Sequence, residues 1–154
     1  MSRIVPLFLA LVTSAAFAPA LVSAETLTIT IADIRESEGR LMIQVANSEK
    51  GFEFSEDSAS PLHRCTAAPP PVAISQLAEA GEMTFEVTLP PGIYGARVLH
   101  DLNGNGKVDS NFVGMPKEPW AFSNNATGRL GPAKWQDAKF EISGNTAVEI
   151  RLNH

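Results

Sequence analysis

Hydrophobic and polar residues alternate over several short segments of this chain, and a period of two residues predicts β-strands. The clearest segments are ETLTITIADI at 25–34, RLMIQVAN at 40–47 and EMTFEVTL at 82–89, in which apolar residues recur at every second position. The turn PPG at 90–92 then leads into IYGARVLH at 93–100. Short strands separated by Gly, Pro and Asn turns predict an all-β fold, a single antiparallel β-sandwich with long loops.

Two further segments extend the predicted strand pattern. AKFEI at 138–142 and TAVEIRL at 146–152 predict a final strand pair around the turn at 143–145. ISQLAEA at 74–80 is compatible with a brief helix and equally with a strand. No long helical stripe is present, so the pattern favours a sandwich over a parallel α/β sheet.

The N-terminal residues have the pattern of a secretory signal peptide. Arg3 precedes an apolar run at 4–17, and small residues at 22–24 stand where a signal peptidase cuts. The run is shorter than the roughly 20 residues of a spanning helix, so we expect no transmembrane anchor. The sequence therefore predicts a signal peptide over 1–24, a single mature domain over 25–154, and a periplasmic or secreted location.

The charge of the mature segment excludes one class of partner. Of 12 Lys and Arg residues, Arg3 leaves with the signal peptide, so 11 basic side chains stand against 17 acidic ones, a net charge of −6. Nucleic acids and anionic membrane surfaces attract clustered Lys and Arg, so neither is an expected partner. A cation is a more natural ligand for an acidic chain.

The single cysteine, Cys65, excludes an internal disulfide despite the oxidising destination. It lies in the proline-rich stretch SPLHRCTAAPPP, two residues from His63. A catalytic thiol, an intermolecular disulfide and an incidental loop thiol are the alternatives. Because no nucleophile signature surrounds the residue, the loop thiol is the favoured interpretation.

The two long irregular segments, roughly 51–73 and 101–135, are where such a fold would carry function. The second contains DLNGNGKVD at 101–109, in which oxygen-bearing side chains recur at every second position before a glycine. This spacing matches the first half of a calcium loop, because hard oxygen ligands suit a hard cation. The candidate ligands in this stretch are Asp101, Asn103, Asn105, the backbone carbonyl of Lys107, and Asp109.

The second half of the calcium loop is missing. Phe112 stands at the twelfth position, where an EF-hand requires a bidentate Glu, and the flanking segments are not helical in pattern. The remaining oxygens would come from Asn111, from Glu118 or from water, with the affinity of an extracellular module, roughly 10⁻⁴ to 10⁻³ M. The alternative is a tight turn whose Asn and Asp side chains bond only their own backbone.

Five short motifs give this region a family resemblance. They are P-P-G-x-Y at 90–94, H-D-x-N-x-N-G-K-x-D at 100–109, G-x-P-x-E at 114–118, F-S-N-N-A at 122–126 and G-P-x-x-x-x-D-A at 131–138. With them, residues 83–142 resemble the bacterial secreted family called domain of unknown function 2141. The resemblance implies export and a β-rich domain and leaves the activity open. The proline-rich stretch around Cys65 departs from the family pattern.

The P-P-G-x-Y turn before an acidic loop is also similar to turns in transthyretin-like and bacterial adhesin stalk sandwiches, an analogy of fold alone. The predicted sandwich is accordingly immunoglobulin-like or transthyretin-like. After the loop, WAFSNNAT at 120–127 combines two aromatic rings, which their polar neighbours predict to be exposed, with amides and hydroxyls. Trp120, Phe122 and Asn124 could together bind a glycan by stacking and hydrogen bonding. The favoured alternative is that the rings close one end of the sandwich while the asparagines satisfy loop backbone.

Three functions remain open from these observations. The preferred one is an exported, non-enzymatic binding or structural module with a calcium-binding loop at 101–109. The second is a protein that binds a carbohydrate or another cell-envelope component. The third is a hydrolase using His100, Asp101 and Asp109, and it is disfavoured because no nucleophile elbow, zinc helix or phosphate loop is present.

Overall fold

A computed structural model describes residues 23–53, 72–113, 116–129 and 131–154. Nearly all of the predicted signal peptide, and the predicted loop residues His63 and Cys65, lie outside the described residues. The strands are β1 (Glu25–Ile34), β2 (Arg40–Ala46), β3 (Val72–Leu77), β4 (Gly81–Leu89), β5 (Gly92–Asp101), β6 (Trp120–Phe122), β7 (Phe140–Ile142) and β8 (Thr146–Arg151). The short helices are α1 (Glu49–Phe52), a 3₁₀ turn (Ser123–Asn125) and α2 (Trp135–Ala138).

The strands form two sheets, which confirms the predicted all-β sandwich. One sheet has the order β4-β1-β8, and the other has the order β3-β2-β5-β6, with β7 also paired to β5. None of the helices in the described ranges is long and apolar enough to cross a membrane. The segment at 74–80, which could have been helix or strand, contributes to β3 and pairs with β2.

Two details of the strand prediction are wrong. The strands β7 and β8 do not pair with each other, because β7 joins β5 and β8 joins β1. The turn at 143–145 therefore carries the chain from one sheet to the other instead of closing a hairpin. The second detail is the direction of β8, which runs parallel to β1, whereas the other strand pairs of the described residues are antiparallel.

The main core lies between the two sheets and comes from the predicted alternation. Leu27, Ile29 and Ile31 of β1 are fully buried, and they face Leu41 and Ile43 of β2 in the same cluster. Burying an aliphatic side chain of this size contributes about 1.5–3 kcal/mol. This contact between layers is what makes the sandwich one folding unit.

A second apolar cluster covers the outer face of the larger sheet. Phe52 of α1 packs against Phe122 and Trp135, with ring centroids 5.5 and 5.6 Å apart. The strand β5 is therefore covered on both faces, and its residues from Tyr94 to Asp101 are all buried. A strand buried on both sides reads as a continuous apolar run in the sequence, as IYGARVLH largely does.

The P-P-G-x-Y motif forms a fixed corner at the start of β5. The hydroxyl of Tyr94 donates to the carbonyl of Pro90 at 2.8 Å, and the ring is buried. Burial raises the pKa of Tyr94, in keeping with a neutral hydroxyl that donates a hydrogen bond. The corner resembles the tyrosine corner of immunoglobulin-like sandwiches, in which a Tyr bonds backbone a few residues upstream.

Candidate functional site

The candidate loop begins where β5 ends, against the turn that precedes β2. Gly39 lies so close to this point that an added Cβ would be 2.0 Å from the carbonyl oxygen of Asp101, and its φ is +71°. A side chain at this position would therefore clash and strain the backbone. The ring of His100 reaches the same turn, since its Nε2 lies 2.7 Å from the carbonyl of Glu38. Two neighbouring residues of β5 are thus held by one turn.

The loop curls around the carboxylate of Asp101, which is buried. Its oxygens accept hydrogen bonds from the backbone N–H of Asn105 at 3.2 Å and of Gly106 at 2.7 Å. Gly104 and Gly106 have φ values of 70° and 74°, a region that suits glycine. The glycines allow the backbone to turn, and the Asp101 carboxylate holds the turn by accepting from two of its N–H groups.

The polar side chains of the loop converge on Asp109. Its two oxygens accept from the side-chain amides of Asn103 and Asn105, the latter at 3.2 Å. The carbonyl oxygens of these amides accept from backbone N–H groups of the loop, at 3.0 Å for Asn103 and 2.7 Å for Asn105. Lys107 is exposed. The predicted donors in 101–109 thus form one compact polar loop.

Glu118 closes this loop from outside. Its Oε1 accepts from the backbone N–H of Leu102 at 3.0 Å, and its Oε2 accepts from the N–H of Asp109 at 3.1 Å. The chain returns to the loop because Lys117 N donates to the carbonyl of Asp109 at 2.8 Å. One carboxylate therefore joins the first and last parts of the loop.

The environment of Glu118 disfavours its ionised form. Its side chain is buried, and burial raises its pKa. The two backbone hydrogen bonds lower the pKa, while the negative charges of Asp101 and Asp109 raise it further. The net direction is upward, with burial as the largest cause and the two nearby carboxylates adding to it.

The other predicted ligands lie differently. Phe112, at the twelfth position, is fully exposed, and the side-chain oxygen of Asn111 accepts from Val113 N at 3.0 Å. In the described ranges, no group of three or more His, Cys, Asp or Glu side chains is placed to hold a metal ion. A cation at this loop would therefore need the amide and carbonyl oxygens as well as carboxylates.

The residues considered for hydrolysis do not form a constellation. Adjacent residues of a strand point to opposite faces, so His100 and Asp101 diverge. His100 is fully buried on the face that Leu41 shares, and its Nδ1 has no hydrogen-bond partner. Since a backbone carbonyl can only accept, Nε2 is the donor in the contact with Glu38.

The residues considered for glycan binding have structural contacts. Phe122 is only 2% exposed, so the expectation of an exposed ring is wrong for this residue, and it packs against Trp120 at 5.4 Å. The Asn124 amide donates to the carbonyls of Asp137 and Lys139 at 3.2 and 2.9 Å, which fixes the end of α2. Of the three residues, Trp120 keeps a partly exposed ring.

Ser123 is a buried polar residue that the sequence did not single out. Its hydroxyl accepts from Ala96 N at 2.9 Å and lies 2.6 Å from the carbonyl oxygen of Ala138, so it joins β5 to α2. Next to it, the Asn125 side chain accepts from Arg151 N at 2.8 Å and joins the same turn to β8. The F-S-N-N-A motif therefore links β5, α2 and β8 by hydrogen bonds. Its run of adjacent polar residues was the sequence feature that could have indicated this role.

Arg97 is the second residue that sequence reasoning missed. It is 7% exposed on the outer face of the larger sheet, and its Nε donates to Gln44 Oε1 at 2.6 Å. Its Nη1 donates to the carbonyls of Phe52 and Glu53 at 3.2 and 3.1 Å. Burial lowers its pKa to about 10. A lone charge inside IYGARVLH was the signal, and its contacts tie α1 to the sheet.

Comparison with known proteins places the chain in a family. A search of curated proteins and a search of solved structures gave no match. The family model described as "Uncharacterized protein conserved in bacteria" (DUF2141) matches residues 29–151, which extends beyond the motif-bearing region to the first strand. The chain belongs to the DUF2141 family.

Proposed function

We propose that this protein is an exported, non-enzymatic binding or structural module whose loop at 101–109 binds calcium, with Glu118 as the carboxylate that completes the loop. The observation that supports this function is the position of Glu118, whose two oxygens contact the N–H groups of Leu102 and Asp109. The sequence places Phe112 where a calcium loop needs its last carboxylate, and Glu118 supplies a carboxylate to the same loop from another part of the chain.

The chemistry of the donors suits calcium better than a transition metal. The side chains at the loop are carboxylates and amides, which are hard oxygen ligands. His100 is the nearest nitrogen ligand in sequence, and it lies on the opposite face of β5 from Asp101. The negative charges of Asp101 and Asp109 act unfavourably on ionised Glu118, and a divalent cation at the loop would offset this repulsion.

Binding would require a local exchange of partners. Asp109 now accepts from the amides of Asn103 and Asn105, so a cation would replace these donors while the amide oxygens turn towards it. Breaking these hydrogen bonds lowers the net gain, which is consistent with the modest affinity of extracellular calcium modules. Calcium would join parts of the loop that now share only hydrogen bonds.

The proposed non-enzymatic role rests on the separation of the candidate acid and base. His100 is buried in the core between the sheets, whereas Asp101 faces the loop. The proposed export rests on the signal-peptide pattern at 1–24, which lies almost entirely outside the described residues.

Thermal melting of the purified protein tests the calcium proposal. With a dissociation constant of about 10⁻⁴ to 10⁻³ M, about 10 mM calcium should stabilise the fold by about 1.4–2.7 kcal/mol over the chelator-treated protein. For a domain of this size that is a rise of several degrees in Tm. Asp109→Asn should lose most of this rise, while Glu141→Gln, an exposed carboxylate on β7, should keep it. An equal Tm in calcium and in chelator would refute the proposal.

A further inference from the structure

The two lateral sides of the sandwich differ. On one side, Trp120 and Asn153 exchange backbone hydrogen bonds of 3.2 and 2.9 Å, which join β6 to the segment after β8. The side chain of Asn125 also accepts from the backbone N–H of Arg151 in β8. The edge of the smaller sheet at β8 is therefore occupied at its C-terminal end, around Arg151 and Asn153, by contacts from the other layer.

On the opposite side, none of the described residues pairs with the outer edges of β3 and β4. In the described part of the chain β4 pairs with β1 alone and β3 pairs with β2 alone, so both are edge strands. Apolar side chains between these edges pack on the core yet remain partly exposed. We call them the open seam: Val72, Ile74, Met83, Phe85 and Val87.

The strand β4 has only part of the usual protection of an edge, the exposed carboxylates of Glu82 and Glu86. It has nine residues, Gly81–Leu89, and contains no Pro and no Lys. From Leu89 to Met83 its pairing with β1 keeps a single register. Natural edge strands are normally short, bulged or marked by such residues, because an unprotected edge recruits another strand. Its outer face presents Glu82, Thr84, Glu86 and Thr88 to solvent.

We propose that β4 pairs antiparallel with β4 of a second copy of this chain, around a twofold axis at Phe85. Residues directly opposite each other in an antiparallel pair lie on the same face of the sheet, so the twofold axis must lie between two copies of the same residue. Phe85 is the midpoint of Gly81–Leu89, and this axis alone overlaps the whole strand. The two sheets then form one continuous six-stranded sheet, β8-β1-β4-β4-β1-β8.

The charges of β4 favour this axis over its neighbours. With the axis at Phe85, Glu86 faces Thr84 of the second copy and Glu82 faces Thr88. Moving the axis to Thr84 would set Glu82 opposite Glu86, and moving it to Glu86 would set two copies of that residue opposite each other. Like charges directly opposite destabilise a strand pair.

The apolar face of β4 fits the same axis. Phe85 would lie beside its own copy, and Met83 would face Val87, so part of the open seam is covered. Pairs of aromatic and aliphatic side chains on one face stabilise a strand pair. A nine-residue strand is smaller than the 20–30 residues that each partner contributes to a standard interface. The dimer should therefore be reversible and depend on protein concentration.

Sedimentation equilibrium of the protein purified from full-length expression, at about 0.15 M salt, tests the dimer. Thr84 is exposed, so its substitution leaves the core unchanged. Thr84→Glu sets Glu against Glu86 twice and should weaken the dimer about 2- to 30-fold, while Thr84→Lys should strengthen it by a similar factor. Ala147→Glu, exposed on β8 at the occupied edge, is the matched control and should change nothing. A monomer at all concentrations, or equal effects of Thr84→Glu and Thr84→Lys, would overturn the proposal.

Disulfide trapping tests the register itself, in a Cys65→Ala background. Thr84→Cys and Glu86→Cys should each stay uncrosslinked alone, because each residue is diagonal to its own copy, about 7–8 Å away. An equal mixture of the two should yield a crosslinked dimer on oxidation. Crosslinking of either variant with itself, or none in the mixture, would show that β4 does not pair around Phe85.

Discussion

Replacing Glu118 by Gln should separate the structural role of this residue from its proposed role in binding. The carboxylate accepts from two backbone N–H groups, those of Leu102 and Asp109, at 3.0 and 3.1 Å. Gln keeps one acceptor oxygen, but its NH₂ group would face the second N–H. The variant therefore loses one charge-assisted hydrogen bond and leaves one partly buried donor unsatisfied.

The expected magnitude follows from these contacts. A hydrogen bond to a charged group contributes about 1.5–3 kcal/mol, and an unsatisfied buried donor costs about 1–3 kcal/mol. Removing the negative charge offsets part of this loss, since burial, and to a smaller extent the charges of Asp101 and Asp109, disfavour the ionised Glu118. We expect calcium-free Glu118→Gln to be less stable by about 1–2 kcal/mol.

Urea denaturation in the presence of chelator measures this difference, and amide hydrogen exchange localises it. The amides of Leu102 and Asp109 should lose protection selectively in the variant. Glu141→Gln on β7 is the control, because an exposed carboxylate should alter stability by less than about 0.5 kcal/mol. If Glu118→Gln matches this control, the two hydrogen bonds contribute little and the reasoning fails.

Calcium then distinguishes the two roles. If Glu118 completes a calcium site, the variant should lose the calcium-dependent gain in stability as well as the calcium-free stability. If Glu118 only holds the loop by hydrogen bonds, the variant should lose stability without calcium, but its response to calcium should equal that of the original chain. The two outcomes differ in one measured quantity, the shift in urea midpoint on adding calcium.

Two further predictions concern the effect of pH and the Ser123 hydroxyl of the F-S-N-N-A motif. Because burial and neighbouring charges raise the pKa of Glu118, the calcium-free protein should gain stability relative to Glu118→Gln as pH falls through that raised value towards about 4.3. Any stabilisation by calcium should decline over the same pH range. Urea midpoints measured against pH check both signs, and an opposite slope would contradict them. Ser123→Ala should lower the free energy of unfolding by about 1–3 kcal/mol, since it leaves the buried Ala96 N–H without its acceptor. The control Ser143→Ala, at an exposed turn, should be near neutral in the same denaturation experiment. Equal effects of the two substitutions would contradict the role of the Ser123 hydroxyl.

The strands could be predicted because their pattern is local. Leu27, Ile29 and Ile31 alternate with threonines, and the buried face of β1 follows directly. The pairing of β7 and β8 could not be predicted in this way, since a short Ser-Gly-Asn turn is compatible with a hairpin and with a crossing between sheets. The choice depends on which sheet edge the rest of the chain leaves free for each strand.

The candidate site was predictable only in part for a similar reason. The spacing of Asp101, Asn103 and Asn105 is a local signal, and these residues do lie in one loop. Glu118 was one of several possible completing residues, because its approach depends on β6 returning beside β5. Phe122 looked exposed since its neighbours are polar, but α1 and α2 cover it with residues distant in sequence.

The length of the connection between β5 and β6 argues that the loop does more than join two strands. Leu99 pairs with Trp120, so residues 100–119 connect two antiparallel neighbours that a hairpin of two to five residues could join. The motifs on either side have structural explanations, because Tyr94 fixes the corner before β5 and Ser123 fixes the turn after β6. Asn103 and Asn105, by contrast, are exposed, and their described side-chain hydrogen bonds stay within the loop. These two amides therefore hold the shape of the loop itself and make no described contact with the packed core, which makes them the groups to test for ligand binding.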